Sequence, residues 1–137
     1  MKYLLDTDIC SHIIKQRPQK ILKKFAEIPM DDIVVSSITV AELRFGIEKL
    51  TRCHPNIKIT HQDIDTFLSH LQILCWDENA AYHYGKIRDS LTATGSLIGG
   101  MDMLIAAHAV SINAILVTNN TREFKRIRKL TVENWIR

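Results

Sequence analysis

The chain has 137 residues, 46% hydrophobic and 24% charged, with a formal net charge of +3. That length buries a core without disulfide or metal staples, and no apolar run approaches the length that spans a bilayer. Asp6 and Asp8 stand where a signal peptide would need its apolar stretch, and Cys10, Cys53 and Cys75 have no paired spacing, so reduced thiols in a cytoplasmic protein are expected.

Lys2–Leu5 reads as a first strand, followed by a helix over Ile9–Lys15 with Ile9, Ile13 and Ile14 on one side. Pro18 interrupts it, and Gln19–Ala26 continues as a second amphipathic helix. After a turn at Pro29 and Asp31-Asp32, Ile33-Val34-Val35-Ser36 is a continuous apolar run of the kind buried on both faces of a sheet. Thr39 to about Leu50 reads as a helix, Thr51–Asn56 as a linker, and Ile59–Leu71 as a long helix. Ile73–Trp76 is the next strand. Asp77 caps a helix that carries Ala80, Tyr84, Ile87 and Leu91.

Gly95–Gly100 is a glycine-bearing loop, and Asp102–Ile112 is apolar nearly all round, which marks a buried helix. Ala114–Thr118 is a further buried strand, Asn119–Glu123 a polar turn, and Leu130–Ile136 supplies an edge strand. Short apolar strands alternating with helices mean βαβ units. The expected architecture is one domain over residues 1–137, a three-layer α/β/α sandwich around a mainly parallel sheet.

Four polar features fall at corresponding places in this scheme. Asp6 ends the first strand, Glu42 lies in the first turn of the helix after Val34-Val35, Asp102 opens the buried helix, and Asn120 follows the Ile115–Thr118 strand. In a parallel sheet the strand carboxyl ends share one edge, where ligands bind. Each residue also has a local explanation: Thr39-x-x-Glu42 is a capping-box spacing, Asp102 suits a cap, and Asn120 suits a turn. Asp6 and Asp8 both suit a cap for the first helix, and Asp8 is assigned that role. Their joint placement favours a site, because convergent carboxylates repel each other and need a cation. Oxygen ligands without regularly spaced His or Cys favour Mg²⁺ or Mn²⁺. Such a cation suits phosphodiester hydrolysis.

Leu4-Leu5-Asp6-Thr7-Asp8-Ile9, Ser37 to Leu43 (Ser-Ile-Thr-Val-Ala-Glu-Leu), Ile98-Gly99-Gly100-Met101-Asp102 through Ala109, and Leu116-Val117-Thr118-Asn119-Asn120-Thr121-Arg122-Glu123-Phe124 together resemble the PIN-domain ribonucleases. More narrowly, they resemble the VapC toxins of bacterial toxin–antitoxin pairs. The resemblance implies a PIN-like α/β/α fold and Mg²⁺- or Mn²⁺-dependent endonucleolytic cleavage of RNA, with initiator tRNA, cut in its anticodon loop, as one candidate target. Asp6, Glu42 and Asp102 match the family's acids, with Asp6 and Asp102 binding metal directly and Glu42 orienting or deprotonating the attacking water. Asn120 stands where many relatives have a fourth, often acidic, residue. Thr118 matches a hydroxyl that orients an acid. Asp8 stands where relatives commonly have Asn, so it adds charge beside Asp6. Gly100-Met101 departs from the pair usual before the third acid.

Two basic clusters, Lys15–Lys24 and Arg122–Lys129, would position the RNA backbone, with Lys15, Arg17, Arg122 and Lys125 as candidate contacts. The resemblance further implies a cognate VapB-type antitoxin whose apolar helix lies against Ile9–Ala26 and Ile64–Leu71. A homodimer through the helix around Trp76–Leu91 is also expected, with a higher assembly once antitoxin binds. Two other readings remain open. Asp6-Thr7-Asp8 also suits an aspartyl-nucleophile phosphatase, and a PIN-like module could bind RNA or a partner without cutting. His108 reads as a satisfied histidine inside an apolar helix, and Cys53-His54 and His61 as solvated loop residues.

Overall fold

Five three- or four-residue strands form one sheet in the order β3-β2-β1-β4-β5, with every pairing parallel. In the computed structural model, which describes residues 1–136, these are β1 (Tyr3–Leu5), β2 (Ile33–Ser36), β3 (Gln72–Leu74), β4 (Ile115–Val117) and β5 (Thr131–Glu133). The helices are α1 (Thr7–Gln16), α2 (Gln19–Glu27), α3 (Ser37–Cys53), α4 (His61–Leu68), α5 (Glu78–Ala93), α6 (Gly100–Ser111) and α7 (Thr121–Phe124). A single 3-10 turn at Met30–Asp32 leads into β2.

Period-two alternation of the buried strands builds two cores. Leu4, Val34 and Leu116 face α5, α6 and α7, where they meet Ile87, Met103, Ala106 and Phe124. Leu5, Val35 and Val117 face the other way, onto Ile9, Ile13, Ile21, Leu43 and Ile64 of the first four helices. The sandwich is therefore α/β/α, as the buried strands Val34-Val35 and Leu116-Val117 predict. Trp135, 2% exposed, closes the second core against Tyr3 and, edge-on, Phe25, with ring centroids 5.5 and 6.0 Å away. Each such aromatic pair contributes about 0.5–1.5 kcal/mol beyond its buried area.

Strand order reverses at β1: the chain proceeds outward through β2 to β3, then crosses back to β4 and β5 on the opposite side. Register places Leu5 beside Val35 and Val117, so residues 6, 36 and 118 emerge at one edge of the sheet. This is the switch point at which open α/β sheets bind ligands.

The boundaries depart from the sequence expectation for local reasons. Helix α1 starts at Thr7 because Asp6 is its cap: the Ile9 N–H donates to Asp6 Oδ1 at 2.8 Å. Asp8 sits exposed in the first turn and makes no cap bond, which corrects its assignment. Arg17 in the left-handed region (φ 44°) and Pro18 separate α1 from α2. Ser36 caps α3 by accepting from the Ile38 N–H at 3.1 Å, so Thr39-x-x-Glu42 is not a capping box. Helix α3 also runs through the first part of the expected linker, to Cys53.

The Asp63 carboxylate accepts from the Thr60 N–H at 2.7 Å and starts α4 later than expected. Strand β3 lies one residue earlier than expected and ends before Trp76, whose indole donates to the Leu104 carbonyl at 2.8 Å. Trp76 packs edge-on against Tyr84, and Ala80, Ile87 and Leu91 are buried under α5, so these side chains serve the fold. The polar turn after β4 contains the one-turn helix α7. Among the described residues, no helix is long and apolar enough to cross a membrane.

Candidate active site

Asp6, Thr7, Asp8, Ser11, Glu42, Asp102 and Asn120 line one open depression of about 520 Å³ above the β1–β4 edge. Asp6 anchors it. Its N–H continues the ladder by donating to the Val117 carbonyl at 3.0 Å, while its side chain is only 3% exposed. The carboxylate accepts from the Ile9 N–H and from the Thr118 hydroxyl, both of which favour the charged form. Burial outweighs them, and with the charges of Asp8 and Asp102 it raises Asp6 to a pKa of about 7. The field of Asp6 adds to burial in pushing the neighbouring Cys10 thiol up, so that thiol is not a nucleophile.

The other side chains are held from later elements. Glu42 projects from α3, and its Oε1 accepts from the Thr7 hydroxyl at 2.5 Å, which ties α3 to the start of α1. Thr39 backs this contact, 3.4 Å from the same hydroxyl. Asp102 lies in the first turn of α6, raised to about 6 by burial and then by the charges of Glu42, Glu123 and Asp8. Gly99 caps that helix without a side chain, and a Cβ there would stand 3.2 Å from Asp102 Oδ2. Fully buried Thr118 accepts from the Asn120 N–H at 2.9 Å, leaving its own proton for Asp6.

Asp6, Asp8, Glu42, Asp102 and Asn120 are thus brought together, with Thr118 directly beneath. The candidate RNA contacts are dispersed. Lys15 lines a groove that begins at Thr7 and Glu42, Arg17 lines a separate one, and Arg122 and Lys125 are exposed outside the depression. Sequence reading missed Glu123, whose Oε2 accepts from Asn120 Nδ2 at 2.9 Å and whose charge reaches Asp102. The acidic function expected near Asn120 is delivered one turn later by Glu123; the signal available was an acid three residues on in the same turn. Thr7 was also missed. His108 is buried, donating to or accepting from Ser36 Oγ at 2.8 Å, and burial lowers its pKa.

A set in which neighbouring carboxylates help raise Asp6 and Asp102 fits a cation, which replaces the protons. Among the described residues no three His, Cys, Asp or Glu side chains gather tightly enough to enclose one alone. That arrangement suits a hard ion that keeps part of its water shell.

The PIN domain family model matches residues 3–130. Ribonuclease VapC2 of Haemophilus influenzae is 46% identical over 136 residues, covering 99% of both chains. The chain belongs to the PIN-domain family, among the VapC ribonucleases. The tRNA(fMet)-specific endonuclease VapC of Shigella flexneri is 38% identical over 135 residues, covering 98% of each chain. The crystal structure of VapBC2 from Rickettsia felis, bound to a DNA fragment from its promoter, contains a chain that superposes with a TM-score of 0.88 at 38% identity, covering 98% of this chain and 99% of that one.

Proposed function

We propose that this VapC-family chain is the toxin of a toxin–antitoxin pair, a single-domain Mg²⁺- or Mn²⁺-dependent endoribonuclease acting in the cytoplasm. The observation that carries the reading is the convergence of Asp6, Glu42 and Asp102 above the β1–β4 edge, with the first and last pushed to about 7 and 6. Asp6 and Asp102 would hold the metal, with Asn120 beside them and Glu123 held to Asn120. When bound, the cation supplies charge for the scissile phosphate and acidity for its water. Glu42, fixed by Thr7, takes the proton of the attacking water. In-line attack breaks the bond to the 3′ oxygen and leaves a 5′-phosphate and a 3′-hydroxyl. Initiator tRNA is the first substrate to try, given the specificity named for the Shigella relative. No Lys or Arg lines the depression, which disfavours an aspartyl-phosphate intermediate on Asp6.

A VapB-type antitoxin closes the site. An apolar groove among α1, α2 and α4, lined by Ile14, Leu22, Phe25 and Phe67, receives its helix. The neighbouring groove along α3 ends at Thr7 and Glu42, so a basic side chain arriving there meets the acids. A homodimer that assembles further with antitoxin belongs to the same proposal. Light scattering of the isolated chain reads it directly.

The test is cleavage of end-labelled tRNA with and without chelator. Cutting should vanish in chelator, return with Mg²⁺ or Mn²⁺, and stop on adding antitoxin; chelator-resistant cutting overturns the metal assignment. Gly99→Ala probes geometry alone. Gly99 has φ −55°, which alanine accepts, but the new Cβ presses on Asp102 Oδ2. Displacement by a few tenths of an ångström should slow cleavage on the order of tenfold. Thermal unfolding should move by no more than about 0.5 kcal/mol. Unchanged rates would show that Asp102 does not need its present position.

A further inference from the structure

A second cleft, of about 560 Å³, runs between α5 and the Arg126–Lys129 segment. Lys86, Arg126, Arg128 and Lys129 line it, and no carboxylate does. Among the described residues the ion pairs are Arg44–Asp65 and His61–Glu48, so none of these four cations is neutralised by an acid. One cleft therefore holds more positive charge than the chain's net +3. Its floor is apolar, built from Ile87, Leu91 and Ile127. At its edge Tyr82 is 60% exposed, with Lys86 Nζ 4.8 Å from the ring centroid. A hydrogen bond from Lys86, and then the charges of Lys86 and Lys129, lower the Tyr82 phenol pKa.

Hydrogen bonds tie one wall of the cleft to the segments that carry the acids. The Arg126 guanidinium donates to the Leu97 carbonyl at 3.2 Å, on the loop that leads into Gly99 and Asp102. The Arg126 N–H also bonds the Glu123 carbonyl at 3.1 Å, one turn after the acid beside Asn120. The acid depression itself offers no cation to the phosphates that flank a scissile bond. A polyanion cut there needs positive charge next along its path, and unpaired cations beside an exposed aromatic ring are the features that hold single-stranded backbone and stacked bases.

We propose that the α5 cleft is an RNA-binding exosite, gripping the substrate backbone through Lys86, Arg128 and Lys129 and stacking a base on Tyr82. The proposal rests on the endoribonuclease reading above. Arg126 is the positioning residue that fixes the cleft to the Gly95–Gly99 loop. The exosite sets affinity for extended or folded RNA and leaves the chemistry at the cut bond unchanged.

The test pairs Lys86→Gln with Lys129→Gln, both exposed, in an Asp6→Asn background that binds without cutting. Anisotropy with labelled tRNA should show binding weakened on the order of tenfold, and a slope of log Kd against log salt reduced by about 1.4. Arg52→Gln with Lys58→Gln removes the same charge elsewhere and should change Kd less than about twofold. With Asp6 restored, the cleft pair should raise KM for tRNA at unchanged kcat and leave cleavage of a short oligonucleotide spanning only the cut bond unaffected. Equal losses from both pairs would reduce the effect to overall charge and overturn the exosite. An unchanged tRNA affinity, or a loss confined to antitoxin binding, would overturn it in favour of a protein partner. If the endoribonuclease reading fails instead, the unmutated chain will not cut RNA while cleft-dependent binding persists.

Discussion

Asp6→Asn is expected to abolish RNA cleavage and, in chelator at pH 8, to raise the melting temperature. The two outcomes have one origin. Asp6 is raised from an ordinary value of 3.8 to about 7, so the folded chain binds this proton more tightly than the unfolded chain does. Between those values the native state carries the extra proton, and stability falls as pH rises through the window. A shift of this size corresponds to about 4 kcal/mol at most. Asparagine removes the charge yet keeps an oxygen for the Ile9 N–H, and it is as good a cap as aspartate. Allowing for relaxation of the acid cluster, the gain at pH 8 should be about 2–3 kcal/mol, or roughly 5–10 °C.

At pH 5 the folded Asp6 is protonated while an unfolded one is ionised, so the gain should shrink to roughly 40% of its pH 8 value, vanishing only below 3.8. Cleavage, which needs the carboxylate, should fall on the order of a thousandfold at pH 8 and by less at pH 5, where the parent Asp6 is itself mostly protonated. Calorimetry at the two pH values, beside a cleavage assay, separates these effects. A variant equally destabilised at pH 5 and pH 8 would show that Asp6 is not held against its neighbours' charge.

Thr118→Val should cost the fold and the chemistry together. Valine matches threonine in shape, so the fully buried site keeps its packing while two hydrogen bonds go. The Asn120 N–H loses its acceptor and the Asp6 carboxylate loses a donor. Stability should fall by about 2–3 kcal/mol, the expense of leaving such groups unmatched. Without the Thr118 proton Asp6 rises further, so the pH–rate profile should move toward alkaline pH. A displacement of one unit means roughly tenfold slower cleavage at neutral pH, recovered near pH 9. Thr118→Ser should restore both profile and melting point. A lower rate at unchanged pH dependence would place the role of Thr118 in folding alone.

The layered fold and three of the acids are legible because both depend on patterns that survive in one dimension. Val34-Val35 and Leu116-Val117 must be buried on two faces, and a parallel sheet then puts Asp6, Glu42 and Asp102 at one edge. The division of labour between Asp6 and Asp8 was not legible. Either aspartate could cap α1, and the choice follows from where β1 stops, which the Asp6 N–H bond to Val117 decides. Glu123 escaped because α7 is four residues long and shows no periodicity. The α5 cleft was hidden more deeply: Lys86 and Lys129 become neighbours only through the docking of α5 beside the segment after α7.

The reversal of strand order at β1 also times the appearance of the hazard during synthesis. Asp6 and Glu42 leave the ribosome early, yet their depression has no second wall until α6 carries Asp102 in and β4 slots beside β1. Thr118, which orients Asp6, and Glu123 arrive later still. A nascent chain therefore lacks the assembled acid site until the stretch through Glu123 has emerged and folded back, and the α1, α2 and α4 face is finished later still, when Trp135 packs against Phe25. The blade is made before the face on which its inhibitor is proposed to sit.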